Sequence, residues 1–160
     1  MSVNKARPHV FVFPEDDANR QLANGFALEV DQRQMQVLPV SGGWIKAVDR
    51  FKSDHTSGLR KFVNRHLVLL IDFDEDPNRR SKIEAEIPSD LADRVFILGV
   101  WTEAEYAKSS TGQSSCEASG RILARDCRDQ TEAFWGHQLL KHNASELTRL
   151  GERVRSILFP

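Results

Sequence analysis

The chain has 160 residues, of which 40% are hydrophobic and 28% are charged, and this predicts a single globular domain over residues 1–160. Its 22 basic residues nearly balance its 23 acidic residues, which excludes a uniformly basic coat for nucleic acid but allows a local basic patch. No run of about 18 apolar residues and no signal-peptide pattern occurs, so we expect a cytoplasmic protein without membrane association.

The chain begins with a predicted strand, an acidic turn and a helix. Residues 9–14 are apolar and rich in valine and phenylalanine, which is typical of a strand. Apolar residues then recur at every fourth position and predict a helix: Ala18, Leu22, Phe26 and Val30. Before this helix stand three acids, where the helix dipole favours negative charge: Glu15, Asp16 and Asp17.

Three further strands are predicted with helices between them. The second covers residues 34–40 and is followed by the turn Ser41-Gly42-Gly43 and a helix carrying Trp44, Val48 and Phe51. The third, residues 66–71, is apolar on both faces, as a central parallel strand should be. Asp76 is predicted to cap the next helix with Pro77 at its first position, and residues 94–100 form the fourth strand. This order predicts an α/β fold, with a Rossmann-like, mostly parallel four-stranded sheet flanked by helices.

The chain after residue 101 has a different pattern, and we interpret residues 101–160 as a loop and a C-terminal helical extension. Residues 108–119 are small and polar and predict a mobile loop. Two helices are predicted after it, at 131–140 and at 145–158, the second with an apolar stripe: Leu147, Leu150, Val154 and Ile157.

Acidic side chains follow the first and third predicted strands. Because ligands of an open parallel sheet bind outside the carboxyl ends of its strands, Glu15 and Asp72 are expected at one rim. In an extended chain Asp72 and Asp74 project to the same side, while Phe73 turns into the core. Carboxylates held this close favour a cation between them, and hard oxygen ligands suit Mg²⁺ or Mn²⁺.

The order of these motifs resembles the Toprim family, the catalytic fold of topoisomerases, primases, RNA maturases and OLD-type nucleases. The resemblance covers residues 9–100: Glu15 after the first strand, a glycine turn at Gly42 and Gly43, and Asp72 with Asp74 after the third strand. It implies Mg²⁺- or Mn²⁺-dependent phosphodiester hydrolysis, with Glu15 as metal ligand or general acid/base and with Asp72, Asp74 and Asp76 as metal ligands. A topoisomerase of this family needs a separate domain with a nucleophilic tyrosine. The one tyrosine here, Tyr106, lies beside a polar loop, so passage of DNA strands is not expected.

Basic residues around the second helix suggest how nucleic acid, either DNA or RNA, would bind. Lys46 follows the glycine turn and is the candidate catalytic contact to the scissile phosphate. A local excess of positive charge over residues 45–66 gives a candidate nucleic-acid track: Arg50, Lys52, Arg60, Lys61 and Arg65. Glu103 and Glu105, beyond the fourth strand, are candidates for a second metal site of the OLD type.

Other readings of the sequence remain open. A phosphoacceptor receiver domain also keeps acids after strands one and three and would use Thr102, but it needs a fifth strand ending in lysine. A catalytically inactive Toprim-like partner subunit is a further alternative, and a partner protein or a homo-oligomer is compatible with the balanced charge. A zinc site is not expected, because the spacing of Cys116, Cys127, His137 and His142 does not suit one.

Overall fold

A computed structural model describes residues 3–160 and shows an α/β fold with a four-stranded parallel sheet. The strand order is β2-β1-β3-β4, so β1 and β3 are central, and the central position predicted for the third strand is confirmed. The strands are β1 (His9–Pro14), β2 (Met35–Val37), β3 (Arg65–Leu70) and β4 (Val95–Leu98).

Helices flank this sheet on both faces. Four of them connect the strands: α1 (Asp17–Ala27), α2 (Trp44–Arg50), α3 (Thr56–Lys61) and α4 (Arg79–Glu84). A π-helical turn, Phe51–His55, joins α2 to α3. Four more follow β4: α5 (Ala107–Thr111), α6 (Cys116–Arg128), α7 (Ala144–Arg153) and α8 (Arg155–Leu158). No helix of residues 3–160 has both the length and the apolar character needed to cross a membrane.

The two faces of the sheet build two apolar layers. Side chains alternate along β1, so Phe11 and Phe13 enter one layer while Val10 and Val12 enter the other. The first layer also contains Phe51, Leu59, Ile71 and Ile83. The second contains Ala23, Val68, Phe96, Leu150 and Val154, so the C-terminal helices are part of the core.

The predicted loop at residues 108–119 is wrong, because most of this segment lies in α5 and α6. Helix α6 begins after Ser115, whose side chain caps it, and packs closely against α1. Two glycines allow the helix backbones to touch: a Cβ on Gly25 would stand 1.8 Å from the carbonyl oxygen of Glu117, and one on Gly120 would stand 2.0 Å from that of Leu22. The small residues serve close packing rather than mobility.

The predicted helix at 131–140 is also wrong, because this segment wraps around the buried carboxylate of Asp126. That carboxylate accepts hydrogen bonds from the backbone N–H groups of Ala133, Phe134 and Trp135, at 3.0–3.2 Å. The helix predicted at 145–158 is present, divided at Val154 into α7 and α8.

Side chains from the C-terminal segment and from α4 cover the outer edge of β4. Glu146 accepts a hydrogen bond from the N–H of Ile97 at 2.8 Å, and Arg80 donates to the Ile97 carbonyl. Asn143 accepts from the N–H of Gly99 at 3.3 Å and donates to its carbonyl at 2.9 Å. The edge groups that would pair with a fifth strand are therefore already bonded.

Candidate metal centre

Glu15 and Asp72 meet at the carboxyl ends of the two central strands. Pro14 of β1 lies beside Leu70 of β3. The two segments remain hydrogen-bonded one residue beyond β1, since the N–H of Glu15 donates to the Leu70 carbonyl at 2.9 Å. The N–H of Asp72 then donates to Oε1 of Glu15 at 2.9 Å. Both side chains are buried.

Asp16 supplies a third carboxylate at this place. It caps α1, and its Oδ1 accepts from the N–H of Asn19 at 3.0 Å. Glu15, Asp16 and Asp72 each offer an oxygen within 4.8 Å of the others. Within residues 3–160 this is the one group of three or more acidic, histidine or cysteine side chains gathered so closely.

Asn19 joins these acids from the buried face of α1. It is 0% exposed, and its Nδ2 donates to Oδ1 of both Asp16 and Asp72 at 2.9 Å. Its Oδ1 has no hydrogen-bond partner among the described residues. The N–H of Ala104 donates to Oδ1 of Asp72 at 2.8 Å, so Asp72 is fixed from two sides.

The surroundings of the two buried acids disfavour their charged forms. Burial raises the pKa of Glu15 to about 7, with further contributions from the charges of Asp72, Asp16 and Asp74 and opposition from the hydrogen bond of the Asp72 N–H. Burial likewise raises the pKa of Asp72 to about 7, against the hydrogen bonds from Asn19 and Ala104. A cation between these carboxylates would relieve the repulsion.

Asp74 does not join the three carboxylates, and the extended geometry predicted for residues 72–74 is wrong. Asp74 and Glu75 have φ angles of 50° and 58°, and the N–H of Asp76 donates to the Phe73 carbonyl at 2.9 Å. The chain therefore turns sharply after Asp72, in the manner of a type I′ turn. Phe73 is buried, as predicted.

Arg79 holds this turn in place. Its Nη1 donates to the Asp72 carbonyl at 2.7 Å and to Oδ2 of Asp74 at 3.0 Å, and its guanidinium stacks on Trp44 at 4.4 Å. Arg79 is buried, whereas the Asp74 side chain is 45% exposed. The predicted ligand Asp74 is thus paired with an arginine.

The prediction that Asp76 caps the helix is wrong, and its side chain is partly exposed. Its Oδ1 accepts from the N–H of Asn78 at 2.9 Å, two residues on, and its Oδ2 pairs with Lys82 at 3.3 Å. Helix α4 consequently begins at Arg79, beyond Pro77. The hydrogen bond from the Asn78 N–H lowers the pKa of Asp76 most. The pair with Lys82 and the charge of Arg79 lower it further.

The predicted glycine turn anchors the end of β1. The N–H groups of Gly42 and Gly43 donate to the Glu15 carbonyl at 2.9 and 3.2 Å. Both glycines have positive φ angles, 91° and 135°, which other residues rarely adopt. Lys46 is exposed on α2, and its stem passes close to Gly42.

The predicted basic track does not lead to the three carboxylates. Arg65 is buried at the start of β3, where its Nε donates to His9 at 3.0 Å and its guanidinium stacks on Phe11. Lys61 lies over Phe62, and Arg60 pairs with Asp90 at 2.9 Å. Lys61 and Arg60 precede β3 and Arg65 begins it, so all three lie toward the opposite end of the sheet.

The remaining two basic residues of the track and the two predicted glutamates lie on the surface. Lys52 pairs with Glu86 at 2.6 Å, and Arg50 is exposed on α2. Glu103 and Glu105 are exposed after β4, on either side of Ala104. Glu103 adjoins Ala104, whose N–H bonds to Asp72, but it does not belong to the three carboxylates. Loss of hydration and the neighbouring charges of Glu105, Asp74 and Asp16 raise the pKa of Glu103.

Comparisons with protein-family models, with curated proteins and with solved structures find no match to this chain. The inference of function therefore depends on the chemistry of the carboxylate centre.

Asp16, Asn19 and Arg79 were not identified as site residues from the sequence. Asp16 had a sufficient explanation as an acid at a helix start. The sequence position of Asn19 could have indicated its role. It lies three residues before Leu22 and so on the apolar side of the predicted helix, where a buried amide needs a polar partner.

Proposed function

We propose that this protein is a Mg²⁺- or Mn²⁺-dependent phosphodiesterase of the Toprim type that cleaves nucleic acid. The observation that carries the proposal is the approach of the Glu15, Asp16 and Asp72 oxygens to within 4.8 Å of one another. Two of the three residues belong to the acids on which the Toprim resemblance depends, and they come from two adjacent central strands.

The three carboxylates fit a small hard cation. A six-coordinate Mg²⁺ has oxygen ligands at about 2.1 Å, so opposite ligands stand about 4.2 Å apart. The observed separations are within reach of this geometry after small side-chain movements. Asp16 and Asp72 are also oriented by hydrogen bonds from Asn19, as ligand carboxylates are in metal sites.

Each side chain has a separate task in the proposed reaction. Asp16 and Asp72 hold the cation, which when bound would stabilise the charge growing on the phosphoryl oxygens. Glu15, with a pKa raised to about 7, is suited to share the cation or to move a proton near neutral pH. Lys46, exposed beyond the glycine turn, would contact the phosphate.

The resemblance also suggests the setting of this activity. Small Toprim-type nucleases act in nucleic-acid maturation and in phage defence, and we assign the protein to such a system. A partner protein would supply recognition, because the residues of the predicted basic track are largely engaged within the chain.

A receiver-like regulatory module is the second candidate. The strand order β2-β1-β3-β4 and the position of Thr102 after β4 favour it. A receiver would place its lysine-bearing fifth strand beside β4, and that edge is bonded to Asn143 and Glu146. We therefore rank the receiver below the nuclease.

The deciding experiment combines cleavage with metal binding. Purified protein is incubated with labelled DNA and RNA, single-stranded and duplex, in Mn²⁺ or Mg²⁺, and Mn²⁺ binding is measured separately by electron paramagnetic resonance. We expect cleavage to fall by about 100-fold or more in Glu15→Gln and Asp72→Asn, with weaker Mn²⁺ binding. Asp90→Asn is the matched control, because this exposed acid pairs with Arg60 away from the centre.

The other outcomes select among the alternatives. Cleavage that survives Asp72→Asn would exclude the proposed centre. Labelling of Asp72 by a small phosphodonor without cleavage would favour the receiver. Binding of Mn²⁺ without either reaction would identify an inactive partner subunit.

A further inference from the structure

We propose that the substrate is unpaired nucleic acid and that Tyr106 stacks on a base next to the bound phosphate. This inference rests on the proposed nuclease function and names the substrate class of the same centre. It is supported by the exposed position of Tyr106 beside the segment that bonds to Asp72 and by the distribution of charge around the centre.

Large apolar side chains are exposed at four positions of the described chain: Leu28, Ile45, Val63 and Tyr106. Two of them belong to segments that contact the metal centre. Ile45, 60% exposed, follows the glycine turn that bonds to the Glu15 carbonyl. Tyr106, 50% exposed, lies two residues beyond Ala104, whose N–H bonds to Asp72.

Both side chains lie on segments that follow strands at the carboxyl end of the sheet, Ile45 beyond β2 and Tyr106 beyond β4. The turn that carries Tyr106 contacts α1, the helix that Asp16 caps. A nucleic-acid strand with a phosphate at the centre would thus have an exposed aromatic ring two residues from a backbone group that bonds to Asp72.

The backbone that carries Tyr106 is well anchored. Its N–H donates to the Glu103 carbonyl at 3.0 Å, and its carbonyl accepts from the hydroxyl groups of Ser109 and Ser110 at 2.8 and 3.3 Å. The ring is therefore presented from a fixed turn, and little ordering is required when a base stacks on it.

The charge around the centre disfavours a duplex. The segments that follow Asp72 and precede Tyr106 carry exposed acids: Asp74, Glu75, Glu103 and Glu105. Duplex recognition depends on many phosphate contacts with lysine and arginine, and Arg60, Lys61 and Arg65 lie toward the other end of the sheet. Stacking on an aromatic ring is sequence-tolerant and adds binding free energy that does not come from phosphate contacts, but it requires an unpaired base.

The binding test uses the fact that Tyr106 is the one tyrosine of the chain. Protein labelled with 3-fluorotyrosine gives a single ¹⁹F resonance, which is followed while a short single-stranded oligothymidylate is added in Ca²⁺. We expect the resonance to shift with the single strand and to stay in place with a duplex of equal length. A shift of equal size with both would overturn the inference.

Three variants test the stacking itself, with the dissociation constant of the oligothymidylate measured by fluorescence anisotropy. Tyr106→Ala is expected to weaken binding by about 5-fold to 100-fold, and Tyr106→Phe, which keeps the ring, to bind like the unmodified protein. Val63→Ala is the control, because Val63 is 71% exposed but precedes β3 at the other end of the sheet. Equal binding by Tyr106→Ala and Val63→Ala would overturn the inference.

Failure of this inference differs from failure of the proposed function. If Mn²⁺-dependent cleavage requires Asp72 but proceeds equally on duplexes and in Tyr106→Ala, the nuclease stands and the stacking inference falls. If no substrate is cleaved and no oligonucleotide is bound, both fall.

Discussion

Asp72 is held by hydrogen bonds from Asn19 and Ala104, and the chain turns sharply after it. Its place after an apolar strand, like that of Glu15, was enough to predict that the two would meet. The third partner was predicted as Asp74, but the turn with positive φ at Asp74 and Glu75 directs that side chain to Arg79. Alternation along an extended strand does not predict such a turn, because it depends on hydrogen bonds to Trp101 and Thr102.

The Asp72→Asn variant is expected to stabilise the metal-free protein by about 1–2 kcal/mol at pH 8. It removes a buried charge that faces two other acids, while an asparagine Oδ1 can still accept the hydrogen bonds from Asn19 and Ala104. Urea denaturation in the presence of a chelator measures the change. A lower free energy of unfolding in the variant would show that the carboxylate is not strained without metal.

The affinity for Mn²⁺ should increase as the pH rises from about 6 to about 8. Glu15 and Asp72, each with a pKa raised to about 7, must lose their protons before they bind a cation. Isothermal titration in two buffers of different ionisation enthalpy measures both the affinity and the protons released. Binding without pH dependence across this range would contradict the assignment of these ligands.

The stability of the metal-free protein should change in the opposite direction. Because the pKa values of Glu15 and Asp72 are raised on folding, the folded protein binds more protons than the unfolded chain between about pH 4 and 7. This contribution is complete below about pH 4 and is lost as the pH rises through about 7. Denaturation with a chelator at several pH values, compared with Asp72→Asn, isolates it from other titrating groups.

The helices that follow β4 were harder to predict than those between the strands. The earlier helices bury periodic apolar residues, as α1 does with Leu22 and Phe26. Helix α6 is built from small and polar residues, because its contact with α1 is made at Gly25 and Gly120. Composition alone could not separate this close contact from a loop, since both favour glycine and serine.

Substituting alanine at Gly25 should destabilise the protein by about 1–3 kcal/mol or more, because the new methyl group would meet the backbone of Glu117. Gly151→Ala in α7 is the matched control. A Cβ there meets nothing within 4 Å, so the higher helix propensity of alanine should stabilise the protein by about 0.5–1 kcal/mol. Urea denaturation of the two variants tests the α1–α6 contact, and equal effects would contradict it.

In the whole molecule, one edge of the sheet, that of β4, is covered by side chains instead of by a further strand. The prediction of a parallel four-stranded sheet could be made from four apolar strands and helix-length connections, and it is confirmed. The cover over β4 could not be predicted, because Asn143 lies between the two predicted helices and Glu146 has the pattern of an ordinary polar helix residue. Only their positions beside Ile97 and Gly99 give them this role.

Removing the Glu146 carboxylate should weaken both stability and solubility. Glu146→Ala leaves the N–H of Ile97 without its partner, which is expected to cost about 1–3 kcal/mol, and it uncovers an edge that can pair with another chain. Denaturation and sedimentation velocity measure the two effects. Glu152→Ala, an exposed substitution on the same helix, should change neither.

The cover over β4 also sets a limit on how the gene can be shortened. A product ending before residue 143 would retain the three carboxylates of the candidate metal centre. It would, however, leave the edge of β4 unpaired and expose the apolar surface on which Leu150 and Val154 pack. Such a fragment is expected to aggregate in inclusion bodies, so a shortened version of this protein has to keep its C-terminal helices.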